Sequence, residues 1–185
     1  MKALARVLAG DTPNLRLLLI GPDNPHVAHL REALSDGRLP DNLQIAPYAP
    51  TPQAALAQAD IVLNLSHCQE TFGRTVLEAM AAGRPALAYR HGALPELIED
   101  GVTGFLIAPG NVGELAERLR ELCRNPQRIV QMGMAGRQAA RRHNLAQLCR
   151  QLGGVYESVL APGVRIATPG PILPPFTSAL RGSHA

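Results

Sequence analysis

Residues 61 to 89 read IVLNLSHCQETFGRTVLEAMAAGRPALAY, and their order decides the fold. Ile61 to Leu65 is a short, mostly apolar run of the length and composition of a buried strand. A polar loop leads to Glu70. Val76, Leu77, Ala79, Met80, Ala81 and Ala82 then form a run apolar on nearly every side, expected as a helix packed against a sheet. Gly83 ends that helix, and Pro85 keeps it from resuming before the strand Ala86 to Tyr89. The segment therefore reads as strand, loop, helix, strand.

Two carboxylates stand out in it. Glu78 lies inside the apolar run, where an unpartnered polar group costs on the order of 2–7 kcal/mol and an ionised one more, so the site must supply partners. Ligand hydroxyls would serve. Glu70 comes just before the expected first turn, with Glu70 or Thr71 as the start of the helix, and Gly73 permits close approach to the backbone. The amides of Thr71, Phe72, Gly73 and Arg74 would then face outward as an anion site.

Outward from this segment the alternation continues. Leu15 to Ile20, Leu43 to Ala46 and Phe105 to Ala108 read as further strands, and His26 to Ser35 and Thr51 to Ala59 as helices, the latter with Thr51 as cap and Pro52 first. His91 to Glu96 is a loop entering a short helix that ends by Glu99. Val112 to Arg124, Gln127 to His143 and Leu145 to Leu160 carry apolar residues at helical spacing, with Tyr156 expected in the core. Met1 to Ala9 is a helix with no cap before it. Strand and helix alternating from Leu15 to Arg124 predict a Rossmann-like, doubly wound parallel sheet, an α/β fold. Ligands of such sheets bind outside the carboxyl ends of the strands, so Gly21, Tyr48, Glu70 and Gly92 should gather there. Residues 1–160 form the expected domain. The proline-rich tail, residues 161–185, is expected to be extended or disordered.

With 185 residues, 46% of them hydrophobic and no long apolar run, the chain is read as one soluble domain without signal peptide or membrane span. Three cysteines, Cys68, Cys123 and Cys149, have no metal-ligand spacing and suit a reducing cytoplasm. His67 beside Cys68 is read as a loop pair, because nothing supplies further ligands, and no metal is expected. A net charge of +3 invites a nucleic-acid reading, but 3% aromatic content leaves almost no stacking platforms. Arg137, Arg141, Arg142 and His143 form the one dense basic cluster. It reads first as a solvated helix face, with anionic lipid or a substrate's phosphates as the other readings.

No G-x-G-x-x-G follows the first strand and no Walker-type loop occurs, so the dinucleotide and P-loop readings fall. What remains is a helix N-terminus flanked by two acids. A sugar nucleotide offers both a diphosphate for the amides and hydroxyls for Glu70 and Glu78.

Glu70-Thr71-Phe72-Gly73 together with Glu78-Ala79-Met80-Ala81-Ala82-Gly83 resembles the paired-glutamate motif of family 4 (group 1) retaining glycosyltransferases. Gly92 to Leu106 is similar to the segment that comes next in those enzymes, and Leu15 to Gly21 to their strand ending in glycine. The resemblance covers about residues 1 to 160. It implies the C-terminal, donor-binding half of a GT-B fold, using an NDP-sugar as donor substrate, with no cofactor or metal, to glycosylate a glycan or lipid-linked acceptor. It further implies that Glu78 binds the donor's ribose and that Glu70, the candidate catalytic residue, binds the transferred sugar. The backbone of Thr71 to Arg74 would meet the sugar and diphosphate, and the loop from Ala46 to Tyr48 the base. Arg74 stands where an aliphatic residue is usual. It either adds charge near the phosphates or points to solvent.

The chain departs from that family by lacking the acceptor-side domain and the strand opening the second domain, with its basic pair; Lys2 lies too near the Leu15 strand to serve as its lysine. A truncated binding module and a GT-B-type epimerase are the competing readings. The vacated apolar edge favours self-association, and the location expected is the cytoplasm, with room for peripheral contact with the inner membrane.

Overall fold

The computed structural model describes residues 1–10, 12 and 14–160. Residues 1–143 form one compact unit, and a second begins at Asn144. In the first unit α1 (Lys2–Leu8) precedes β1 (Leu17–Ile20), α2 (Pro25–Ser35), β2 (Leu43–Ala46), α3 (Pro52–Leu56), β3 (Val62–Asn64), α4 (Arg74–Ala81) and β4 (Ala86–Tyr89). After these come α5 (Leu94–Leu97), β5 (Gly104–Ile107), α6 (Val112–Arg124) and α7 (Pro126–Ala140). The expected helices are present. Thr51 caps α3 as its spacing predicts, accepting from the Ala54 amide at 3.2 Å, although the helix stops at Leu56.

All strand pairs are parallel, as the alternation requires. They form two sheets: β1 beside β2, and β3, β4, β5 in that order. Parallel strands alternating with helices are the pattern of a Rossmann-like, doubly wound fold. No ladder joins β1 to β3 among the described residues. Those two strands are mostly half-buried, whereas β4 and β5 are buried throughout.

Alternation along β4 and β5 divides the core into two layers. Leu87, Tyr89, Phe105 and Ile107 point into a cluster with Leu4 and Leu8 of α1 and with Leu115, Leu119 and Leu122 of α6. Ala86, Ala88 and Leu106 point the other way, onto Val76 and Met80 of α4 and onto Leu94 and Leu97 of α5. Small alanines on this second face let α4 lie close to the sheet. Burying side chains such as Leu87 or Met80 contributes about 1.5–3 kcal/mol each, so this sandwich fixes α4 far more firmly than its eight-residue length could.

α8 (Leu145–Val159) lies in the second unit. It buries none of its residues, and Tyr156 is 60% exposed, which corrects the core placement expected for it. The apolar spacing of α8 is real, but helical spacing marks a face without saying what covers it. The proline-rich tail lies outside the described residues.

Helix α7 is held against the turn after α4 by a contact that admits no side chain. A Cβ on Gly133 would lie 2.1 Å from the Gly83 carbonyl oxygen. Gly133→Ala should therefore destabilise by roughly 1–3 kcal/mol through forced displacement of packed backbone. Gly153→Ala, on α8 with nothing within 4 Å, should be neutral or stabilising by up to about 1 kcal/mol. Urea denaturation of both variants checks the contrast.

Candidate functional site at the carboxyl ends of the strands

The loop between β3 and α4 is built by three approaches of the neighbouring loop, residues 90–94. The Ala93 amide donates to the Glu70 carbonyl at 2.9 Å. Gly92 has φ +56°, and a Cβ there would fall 2.3 Å from the same carbonyl oxygen, so only glycine permits the approach. His91 Nε2 lies 2.8 Å from the Ser66 carbonyl, which can only accept, so that nitrogen carries the proton. Tyr89 ends β4 with its ring 5.4 Å from that of His67 and 6.3 Å from that of His91. His67 is therefore engaged in ring packing, and Cys68 beside it is exposed.

Helix α4 starts later than its residues suggest. Gly73 is its N-cap with φ +78°, a left-handed conformation, and Arg74 is the first helical residue. Neither Glu70 nor Thr71 begins it, because Gly73 is buried under Leu94 and Leu97 and turns the chain there: a Cβ would meet their methyl carbons at 2.7 and 2.8 Å. The amides ahead of the first intrahelical bond, Leu77 N–H to Gly73 O, are consequently those of Arg74, Thr75 and Val76, and no side chain caps them. Of the four amides expected at this terminus, Arg74 belongs to its first turn and Gly73 to its cap. Thr71 and Phe72 precede it, and both are exposed, Phe72 at 54%.

Glu70 is half-buried. Its Oε1 accepts from Asn64 Nδ2 at 3.3 Å, and no protein partner of Oε2 is found among the described residues. Glu78 is less buried than its apolar neighbours imply, with its side chain 31% exposed. Its partner is Arg74 one turn earlier, Nε to Oε1 at 2.8 Å, rather than Arg84, which faces Asp60, or Arg90, which faces Asp100. The large burial cost assigned to Glu78 from sequence is thus reduced: α4 turns Glu78 toward the open edge while Val76, Ala79 and Met80 face the core. Arg74 itself is 79% exposed and spans that edge. A pair this exposed contributes little, so both ends stay available to a ligand.

Gly21 and Tyr48 come together elsewhere on the carboxyl side. With Ile20, Pro50, Thr51 and Ala55 they line a shallow pocket of about 200 Å³, over which Tyr48 is 67% exposed. The pocket's lining includes none of residues 70 to 78. The structure therefore assembles two groups, a flat apolar pocket after β1 and β2 and an acid-and-amide edge after β3 and β4. Sequence reasoning passed over Asn64. Its signal was available, since asparagine is depleted in strands and this one interrupts an aliphatic run.

Chemically, the second group offers uncapped amides for an anion, one carboxylate oxygen without a protein partner and a second carboxylate shared with an arginine. Among the described residues no three His, Cys, Asp or Glu side chains form a metal-holding group. No described helix is long and apolar enough to cross a membrane.

Comparison with known proteins agrees with this architecture. Over 122 residues the chain is 31% identical to a D-inositol 3-phosphate glycosyltransferase of Corynebacterium kroppenstedtii, covering 66% of this chain and 27% of that one. It is 34% identical over 113 residues to a phosphatidyl-myo-inositol mannosyltransferase of Mycobacterium leprae, covering 61% and 30%. The chain thus spans less than a third of the length of these two relatives. Among solved structures, HepE of Anabaena in complex with UDP superposes with a TM-score of 0.73 at 26% identity, covering 84% of this chain and 44% of that one. The fold is that of the C-terminal domain of the GT-B arrangement. The family model for glycosyl transferases group 1 matches residues 1–139, and the chain belongs to that family.

Proposed function

We propose that this domain binds the NDP-sugar donor of a retaining, metal-independent glycosyltransferase of family 4, one that passes a hexose to a glycan or lipid-linked acceptor. The observation that carries the reading is the edge after β3. There Glu70, in the loop leading to α4, has one carboxylate oxygen without a protein partner among the described residues, the first turn of α4 is uncapped, and Glu78 lies further along the same helix. In this reading the amides of Gly73, Arg74 and Thr75 face the diphosphate, helped by the positive end of the helix. Glu78 accepts from the ribose hydroxyls and Glu70 from the transferred sugar. The base lies against Gly21 and Tyr48. HepE, of the same fold, is solved with UDP-glucose, which supports the donor class. A cytoplasmic location, peripheral to the inner membrane, fits a nucleotide donor and a lipid-linked acceptor.

Transfer needs more than these groups. The departing diphosphate requires positive charge as its own develops, and losing one such stabilising donor costs about 10²–10³ in rate. Arg74, on this edge, is shared with Glu78. Acceptor positioning, worth as much or more, would come from another surface. The competing reading is a module that binds the donor without transferring it, and an acceptor-side domain would be the partner of either.

Calorimetric titration tests the assignment. UDP and UDP-glucose should both bind. Glu78→Gln should weaken each by about tenfold, because a charge-assisted bond to ribose is common to both. Equal affinity in variant and parent removes Glu78 from the site. The Arg74–Glu78 pair should show a coupling of about 0.3–0.5 kcal/mol in a double-mutant cycle of ligand-free stability, falling with salt. A larger coupling would mean the pair is structural rather than held for a ligand. With a radiolabelled donor, the chain by itself should give no transfer above background.

A further inference from the structure

Asn64 is 7% exposed, the last residue of β3, and its side chain makes two bonds. Its Oδ1 accepts from the Ser66 amide at 3.4 Å, and its Nδ2 donates to Glu70 Oε1 at 3.3 Å. The amide has one orientation that satisfies both neighbours, because a backbone N–H can only donate and a carboxylate only accept. The backbone of Glu70 is fixed independently by the Ala93 amide and the close approach of Gly92. That leaves the rotation of its carboxylate. Its one protein partner among the described residues is Asn64.

We propose that Asn64 is a positioning residue. From the rigid end of a core strand it sets the Glu70 carboxylate in one rotamer, leaving Oε2 turned outward for a ligand. The consequence for the donor sugar rests on the function proposed above; the positioning does not. Placement on a strand matters because a carboxylate on a loop would otherwise sample several rotamers and meet each hydroxyl only part of the time. His91 acts on the same loop from the other side through the Ser66 carbonyl, so Ser66 is held at both its amide and its oxygen.

Asn64→Asp separates this role from packing. It keeps the shape and the acceptor for the Ser66 amide, but sets a carboxylate against Glu70 in place of a donor. The ligand-free Tm should fall by about 3 °C or more. In the full chain carrying both Asn64→Asp and Glu70→Gln, the glutamine amide can donate to Asp in the reversed sense, and the loss should be recovered. An equal fall in Tm for Asn64→Asp with and without Glu70→Gln would overturn the pairing. For ligand, UDP and UDP-glucose are compared. Asn64→Asp should leave UDP affinity unchanged and cut the added affinity given by glucose about tenfold, as Glu70→Gln does. If Glu70→Gln removes that increment and Asn64→Asp does not, Asn64 does not position Glu70. If the parent shows no increment at all, the sugar role of Glu70 fails, and the Tm recovery alone decides whether Asn64 sets its carboxylate.

Discussion

The carboxyl edge of this domain depends on a contact between two loop backbones that excludes any side chain. Gly92 lies so close to Glu70 that a Cβ would overlap its carbonyl oxygen and nitrogen, and Gly73 is covered, less tightly, by side-chain methyls of Leu94 and Leu97. Both glycines have positive φ, which other residues adopt only with strain. Together they tie the β3–α4 loop to the β4–α5 loop. Glu70 is thereby set on backbone that the core supports from two strands, and α4 is made to start at Arg74 with its amides uncapped.

The electrostatic result of this contact is modest in energy and specific in placement. The first turn of α4 carries no acid and no capping side chain, so its partial positive charge is unspent within the protein. Arg74 and Glu78 meet over the same turn, but their exposure keeps that bond weak enough for a ligand to replace. A helix end left uncapped forgoes about 0.5–2 kcal/mol. Here the sandwich of α4 between sheet and α7 outweighs that cost, since Val76, Ala79 and Met80 are fully buried. Stability resides in one face of α4 and chemistry in its first turn and open edge.

Hydrogen bonding stops between the two sheets, while apolar packing continues across them. The two sheets share one apolar layer, with Leu17 and Leu43 in the same cluster as Leu87 and Phe105, yet no ladder crosses between them among the described residues. Packing of helices α1 and α6 over that layer holds the halves together: Arg120 donates to the Val7 carbonyl at 3.0 Å and Asn42 to the Ala5 carbonyl at 3.1 Å. Hydrophobic burial is non-directional, which is why it tolerates a gap that a hydrogen-bonded sheet would not.

Residue order alone dictated the alternation of strands and helices and the parallel sense of the sheet, and it drew attention to Glu70, Gly73 and Glu78, because period, punctuation and a charge within an apolar run are local properties of a chain. It also put Gly21 and Tyr48 together at the carboxyl edge, but expected Glu70 and Gly92 with them, and the pocket that Gly21 and Tyr48 line contains neither. Where α4 begins depends on tertiary packing, since Leu94 and Leu97 bury Gly73 and no local signal records that. The same holds for the partner of Glu78: a buried-looking run placed it in the core, while the rotation of α4 on the sheet turned it outward to Arg74. Tyr156 failed for a related reason, because helical spacing marks an apolar face but the fold determines whether anything covers it. Asn64 shows the converse. Its oddity was visible in the strand, but its purpose required the loop to fold back and bring Glu70 within reach of its amide, a contact set by three-dimensional packing rather than by spacing along the chain.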